Sequence, residues 1–167
     1  MKFKEGKVFR NSKNIKNIEI IAKEYDKTKN DYYGFIKKYN SLGLRQVIIT
    51  SEIMIKLIEI YTVSRRFSIN EIDFMVEDYV LDDEINMYLS NIKEDRANLV
   101  YLLEHLKFLA HDDSIDIKSI TLQGQSINIE KEFRVIIRVN GLFSISDYSY
   151  GDESEFLVEK ISDIFND

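Results

Sequence analysis

The amino-acid sequence predicts an α+β protein: an N-terminal helical bundle of five or six helices, followed by a three-stranded antiparallel sheet and a C-terminal helix. Two observations lead to this prediction. Apolar residues recur at helical spacing as far as residue 110, and between residues 115 and 146 the period falls to two. Because helices and strands occupy separate stretches, we expect them to segregate in the fold. The predicted division is a helical region over 1–94 and a helix, sheet and helix over 95–167, or one single domain over 1–167.

The first half of the chain carries most of the predicted helices. Residues 1–11 are polar and basic and indicate a short strand or an ordered arm. Helical spacing of apolar residues predicts helices over 13–25, 32–39 and 51–66, and residues 47–49 fit either a short strand or a first helical turn. The helix over 13–25 rests on five apolar positions: Ile15, Ile18, Ile21, Ala22 and Tyr25.

Capping residues predict where the next three helices begin. Ser68 and Glu71 form a capping box, which predicts a helix that turns Ile72, Met75, Val76 and Tyr79 inward. Asp82 or Asp83 is expected to cap the following helix. Asp95 is expected to cap a third helix, which has a broad leucine stripe and ends near residues 111–113.

Period-two alternation follows this last helix. Residues 115–118 and 126–139 alternate between apolar and polar, with Gly124 as a predicted turn. Asn140 and Gly141 predict a type I′ hairpin, in which both residues need a positive φ. Residues 142–146 form the return strand, and a second capping box at 152–155 predicts the C-terminal helix.

Composition limits the classes of protein that the chain fits. Of its 167 residues 44% are hydrophobic and 31% are charged, which is typical of a globular protein. Cysteine is absent, which excludes disulfides and suits a reducing compartment. There is no apolar run of about 18 residues and no signal-peptide pattern at the start. We therefore expect a cytoplasmic protein of a bacterial host cell, away from the membrane.

Residue patterns typical of enzymes and metal sites are missing from the sequence. Glycine-rich phosphate loops and nucleophile elbows do not occur. His105 and His111 are six residues apart, whereas two zinc ligands on one helix face are four apart. Residues 112–123 resemble a calcium loop, but Ile117 and Gln123 stand where glycine and glutamate are required. The sequence predicts no catalytic activity, no metal and no cofactor.

Charge is distributed unevenly along the chain. The net charge of −6 divides into +7 over residues 1–50, −6 over 51–100 and −7 over 101–167. Either the two ends attract each other within the fold, or one of them forms a surface of one sign for a partner. The basic first third, with its interleaved tyrosines, also fits direct binding of nucleic acid.

The C-terminal part resembles a small acidic family of phage anti-CRISPR proteins that inhibit type II CRISPR effector nucleases. The resemblance extends over about residues 98–166, and it depends on residues 133–140, 143–146, 153–155 and 158–166. It implies a helix packed on a three-stranded antiparallel sheet, and an acidic surface that mimics DNA. The family's hairpin loop is longer than the loop at Asn140 and Gly141, so its contact residues do not transfer to this chain.

The resulting expectation is a binding protein that inhibits an RNA-guided nuclease through an acidic surface. The partner is either a CRISPR effector nuclease with its guide RNA or a bacterial toxin, for which the chain would be an immunity protein. A nucleic-acid-binding accessory protein of a mobile element is the third alternative. Acidic charge and position predict seven partner-binding residues: Asp112, Asp113, Asp116, Asp147, Asp152, Glu153 and Glu155.

Overall fold

The computed structural model describes residues 1–11, 16–126 and 130–167, in which there are five α-helices and seven β-strands. The α+β class is confirmed, but the predicted order of a helical bundle followed by a three-stranded sheet is wrong, because two strands come first and four precede residue 75. The strands are β1 Phe3–Asn11, β2 Ile20–Tyr25, β3 Leu44–Gln46, β4 Ser68–Phe74, β5 Ile117–Gln125, β6 Glu132–Arg138 and β7 Leu142–Ser146. The helices are α1 Tyr32–Ser41, α2 Ser51–Glu59, α3 Tyr79–Glu94, α4 Leu99–His111 and α5 Tyr150–Asn166.

Contacts divide the chain into two compact units. Unit 1 consists of Met1–Ile49 and Phe133–Asp167, and unit 2 of Thr50–Glu132. None of the helices in the described ranges is long and apolar enough to cross a membrane.

The sheet of unit 1 is built around β1. β2 pairs with residues 5–10 of β1 on one side, while β7 and β3 pair with residues 3–7 and 9–11 on the other. β6 pairs with β7, and all of these pairs are antiparallel. The N-terminal strand therefore lies inside the sheet and has hydrogen-bonded neighbours on both sides.

Helices cover both faces of this sheet. On one face, Phe9 packs against α1, with its ring centroid 5.3 Å from that of Tyr39. On the other face, Phe143 stacks on Tyr150 of α5 at 6.0 Å, and Leu157 of the same helix is fully buried.

β2 contradicts the predicted helix over 13–25, of which residues 13–15 lie outside the described residues. Ile20 is buried and its neighbours Ile21 and Ala22 are half-buried, because the two strand faces meet different helices. A strand that is covered on both faces lacks clean alternation. The apolar residues of β2 thus matched a helical period by coincidence.

The hairpin between β6 and β7 is confirmed, but its predicted turn type is wrong. Of the two turn residues Asn140 and Gly141, only Gly141 has a positive φ, of 76°. Its N–H donates to the carbonyl of Arg138 at 2.9 Å. Arg138 and Leu142 bound a loop of three residues. Such loops combine a type I turn with a left-handed glycine, so Asn140 needs no positive φ.

Unit 2 contains α2, α3 and α4 and the antiparallel pair β4–β5. Thr50 caps α2, which continues into a π-helical turn, Ile60–Ser64. The leucine stripe of α4 is buried as predicted, and the Asp95 side chain accepts the N–H of Ala97 in the short 3₁₀ turn before α4. The predicted helices over 32–39 and 51–66 and the last helix are also present, as α1, as α2 with the π-helical turn, and as α5.

β4 replaces the helix that the capping box at Ser68 predicted. Ile69 pairs with Leu122 and Glu71 with Thr121, so Asn70 is an extra residue in a β-bulge. The bulge places Ile69 and Ile72 in the core although they are three residues apart. Because apolar residues three apart are also typical of a helix, this spacing led to the wrong prediction.

Four further predictions, which concern single residues or short segments, also differ from the structure. Residues 47–49 form neither a strand nor a helical turn. Gly124 lies inside β5, where a Cβ atom would come within 2.2 Å of the Phe67 ring. Asp78, and not Asp82 or Asp83, caps α3. The predicted capping box at 152–155 lies inside α5, which begins at Tyr150.

Candidate functional site: an acidic surface on unit 2

The two units differ strongly in charge. Unit 1 carries 15 Lys and Arg against 12 Asp and Glu, a net charge of +3, whereas unit 2 carries 8 against 17, a net charge of −9. The asymmetry seen along the sequence therefore belongs mainly to unit 2. Repulsion on this scale works against folding, so the position of the acidic residues within unit 2 needs a closer description.

The acidic residues of unit 2 concentrate where β4 leads into α3. No Lys or Arg occurs between Arg66 and Lys93, while seven carboxylates do: Glu71, Asp73, Glu77, Asp78, Asp82, Asp83 and Glu84. All except Glu84, which is half-buried, are exposed. Among the interactions described for this segment, the one close approach of a basic side chain is that of His105, whose Nε2 lies 3.4 Å from the Glu84 carboxylate.

Three of these carboxylates line one small groove. Glu71 and Asp73 project from β4 and Asp82 from the first turn of α3, and the groove between them has a volume of about 190 Å³. The hydroxyl of Ser119 donates to Asp73 at 2.7 Å. Within the described part of the chain none of the three carboxylates forms an ion pair, so their charge faces solvent.

Exposed apolar side chains accompany the carboxylates. Tyr79 is 87% and Val80 is 78% exposed, and Met75 and Val76 are also exposed. Met75, Val76 and Tyr79 were predicted to turn inward on a helix. Because β4 ends at Phe74, the four residues instead form the connection to α3 and the start of that helix. We call the exposed side chains of residues 71–83 the β4–α3 surface.

The predicted partner-binding residues fall in both units. Asp112, Asp113 and Asp116 follow α4 in unit 2, and all three are exposed. The carbonyl of Asp116 accepts the N–H of Met75 at 2.8 Å, which places it beside the β4–α3 surface, and its carboxylate accepts the Ser51 hydroxyl at 2.8 Å.

The other four predicted residues lie at the start of α5 in unit 1. Asp147 forms an ion pair with Lys4 at 3.4 Å, and Asp152 and Glu155 are exposed. Glu153 is only 5% exposed. Because Glu153 is buried, its side chain is not available at the surface as the prediction requires.

Sequence reasoning missed Glu71, Asp73 and Tyr79 as surface residues. The alternation of Glu71 and Asp73 with Ile72 and Phe74 was a period-two signal, but it was outweighed by the capping box and by the bulged spacing of Ile69 and Ile72. The signal was thus present in the sequence and could have identified the strand.

Unit 1 has a larger groove of about 520 Å³, but its charges balance. Lys4, Lys27 and Arg138 lie around it together with Glu5, Glu24 and Asp26. At its base Arg138 donates to the hydroxyl of the buried Ser144 at 2.8 Å. A groove with both signs of charge favours no charged partner, so the β4–α3 surface is the stronger candidate.

No group of three or more His, Cys, Asp or Glu side chains in the described residues is arranged to hold a metal ion. Comparisons with known proteins give no counterpart: no protein-family model matches the chain, and neither a curated protein nor a solved structure matches it.

Proposed function

We propose that this protein is an inhibitor that binds another protein, and that its β4–α3 surface occupies a basic groove in which the partner holds nucleic acid. The observation that carries this proposal is the set of six exposed carboxylates over residues 71–83 without a Lys or Arg between them, with Tyr79 and Val80 exposed in their midst. A row of carboxylates offers hydrogen-bond acceptors to the arginines of a partner, much as the phosphates of nucleic acid do.

The mixture of residue types also fits a protein interface. Tyr and Met are enriched at interface cores, and an exposed tyrosine that becomes buried on binding is a frequent hot spot. Carboxylates around such a centre increase the rate of association with a basic partner. The β4–α3 surface offers both features within one short segment of the chain.

The partner that we propose is a type II RNA-guided DNA nuclease with its guide RNA. Such nucleases read the short motif beside their target with arginines, in a groove that an acidic surface can fill. The resemblance of residues 133–166 to inhibitors of these nucleases supports this choice. An immunity protein of a nuclease toxin would use the same chemistry and is the alternative partner class.

A cleavage assay tests this proposal. Purified nuclease with its guide would cut target DNA over a titration of this protein, added either before or after the DNA. We expect stoichiometric inhibition that is stronger when the protein is added first and that weakens as salt rises. If no effector subtype is inhibited, the nuclease is the wrong partner, and capture of a basic toxin by the acidic surface becomes the next test.

Two sets of variants distinguish an effect of the β4–α3 surface on inhibition from an effect of net charge alone. The triple variant Glu71→Gln, Asp73→Asn, Asp82→Asn should raise the half-inhibitory concentration by about tenfold or more. Its matched control is Glu59→Gln, Glu94→Gln, Glu104→Gln, which removes three exposed carboxylates of the same unit. Equal weakening by both variants would mean that only the overall charge matters.

The contacts predicted at the start of α5 need their own variant. Asp152→Asn with Glu155→Gln changes two exposed carboxylates of unit 1. Weaker inhibition by this folded variant would extend the binding surface to α5, and full inhibition would remove these residues from it.

A further inference from the structure

A second feature of unit 2 lies apart from the carboxylates of the β4–α3 surface. It is a cleft of about 280 Å³, at the small end of ligand pockets. Five apolar side chains form most of its lining: Phe67, Ile69, Leu89, Ile92 and Leu99. Lys93 and Arg96 also line it, so an apolar interior is combined with two cations.

The wall of the cleft has an unusual backbone. α2 passes into the π-helical turn Ile60–Ser64, and Arg66 then adopts a left-handed φ of 58°. A non-glycine residue in this region is uncommon, and π-helical turns are frequent at functional sites. Together they direct Phe67 into the cleft, where its ring fits only because residue 124 is glycine.

Arg96 is held in place by this same wall. Its guanidinium donates to the carbonyls of Thr62 at 2.7 Å and of Arg66 and Phe67 at 3.4 Å each. The end of a helix leaves carbonyls without donors, and Arg96 satisfies one of them, that of Thr62 in the π-helical turn. The side chain is thereby fixed before any ligand arrives, which lowers the entropic cost of binding.

The positive charge at the cleft is not compensated by a carboxylate. Among the interactions described for the chain, neither Lys93 nor Arg96 takes part in an ion pair with Asp or Glu. Two cations of this acidic unit thus line one mainly apolar cleft.

We propose that the cleft binds a small carboxylate with an apolar tail. The tail would displace water from Phe67, Leu89 and Leu99, and the carboxylate would accept hydrogen bonds from Lys93 and from the guanidinium hydrogens of Arg96 that the carbonyls leave free. This ligand site goes beyond the proposed inhibition, because it involves other residues of unit 2 and requires no protein partner.

Nuclear magnetic resonance titration tests the site directly. ¹⁵N-labelled protein would be titrated with octanoate and, in parallel, with 1-octanol as the neutral analogue. We expect the largest amide shifts at Phe67, Ile69, Leu89 and Arg96, and an affinity for octanoate roughly tenfold or more above that for octanol. Equal affinity for both probes, shifts centred elsewhere or no shifts would each overturn the proposal.

Two variants and a control add specificity to the titration. Lys93→Gln should weaken octanoate binding by about threefold to tenfold, and Leu99→Phe should reduce it by filling the cleft. Lys107→Gln, an exposed lysine of α4 outside the cleft, should leave it unchanged. If Lys93→Gln and Lys107→Gln weaken binding equally, the site is wrong. Because Lys93 is exposed, its variant should fold normally and decide the question even if Leu99→Phe does not fold.

Discussion

Lys7 is a lysine with no exposed surface, on the central strand of unit 1. Its ammonium group donates to the carbonyls of Asn140 and Val47, which holds the β6–β7 loop beside β1. Burial lowers the pKa of Lys7 to about 8, since the charged form loses its hydration. Nothing in the sequence distinguishes this lysine from the eleven other Lys and Arg of the first 50 residues.

The lowered pKa of Lys7 predicts a pH dependence of stability. The unfolded chain keeps a lysine pKa near 10.4, so between about pH 8 and pH 10 it binds more protons than the folded chain. The free energy of unfolding should therefore rise with pH in this window, by up to about 1.4 kcal/mol per pH unit, relative to Lys7→Met. Urea unfolding of both proteins from about pH 8 to about pH 9.5 measures the difference.

This pH range lies below the pH at which ionisation of Tyr150 affects the free energy of unfolding. Burial, with a smaller effect of Glu24, raises the pKa of Tyr150 to about 12, so its contribution to stability is lost only above about pH 10. Parallel curves for the wild type and Lys7→Met below that pH would contradict the lowered pKa of Lys7.

At the scale of single elements, the start of α3 contains a carboxylate with a structural role of its own. The Asp78 carboxylate accepts the N–H groups of Val80 and Leu81 at 2.9 and 3.2 Å. Asp78→Ala should lower the free energy of unfolding by about 1 kcal/mol, whereas Asp78→Ser should preserve most of the cap. Urea unfolding midpoints provide the comparison.

Asp82→Ala is the control for this prediction, because Asp82 also lies near the helix start but caps nothing. Its substitution removes only an interaction with the helix dipole, worth about 0.3–1 kcal/mol. A larger loss for Asp82→Ala than for Asp78→Ala would place the start of α3 where the sequence had predicted it.

Helices with one buried stripe were predictable, and strands without simple alternation were not. The stripes of α4 and α5 and the Asn-Gly signal of the β6–β7 hairpin come from local spacing, and these elements are present. β2 and β4 were missed, because tertiary structure determines their pattern: β2 is covered on both faces, and β4 carries a bulge. The wrong prediction for β4 also concealed Glu71, Asp73 and Tyr79 as residues of the β4–α3 surface.

For the whole molecule, the charge could be counted from the sequence but not assigned to a surface. The basic first third and the last 35 residues belong to one unit, so their charges largely compensate. The acidic middle forms the other unit. Which carboxylates share a groove depended on β4 being a strand, and this is why Glu71 and Asp73 were absent from the predicted set.

The central position of β1 has a consequence for the order of folding. Phe3 pairs with Ser146 and Lys7 with Leu142, so the sheet of unit 1 needs both ends of the chain, whereas unit 2 is continuous in sequence. Closing so long a loop is slow, and we expect β4 and β5 to be protected before β1 and β7 during refolding. Pulse-labelled hydrogen exchange measures this order, and simultaneous protection would contradict it. During synthesis on the ribosome, β1 would then remain without its β7 partner until residues 142–146 have emerged.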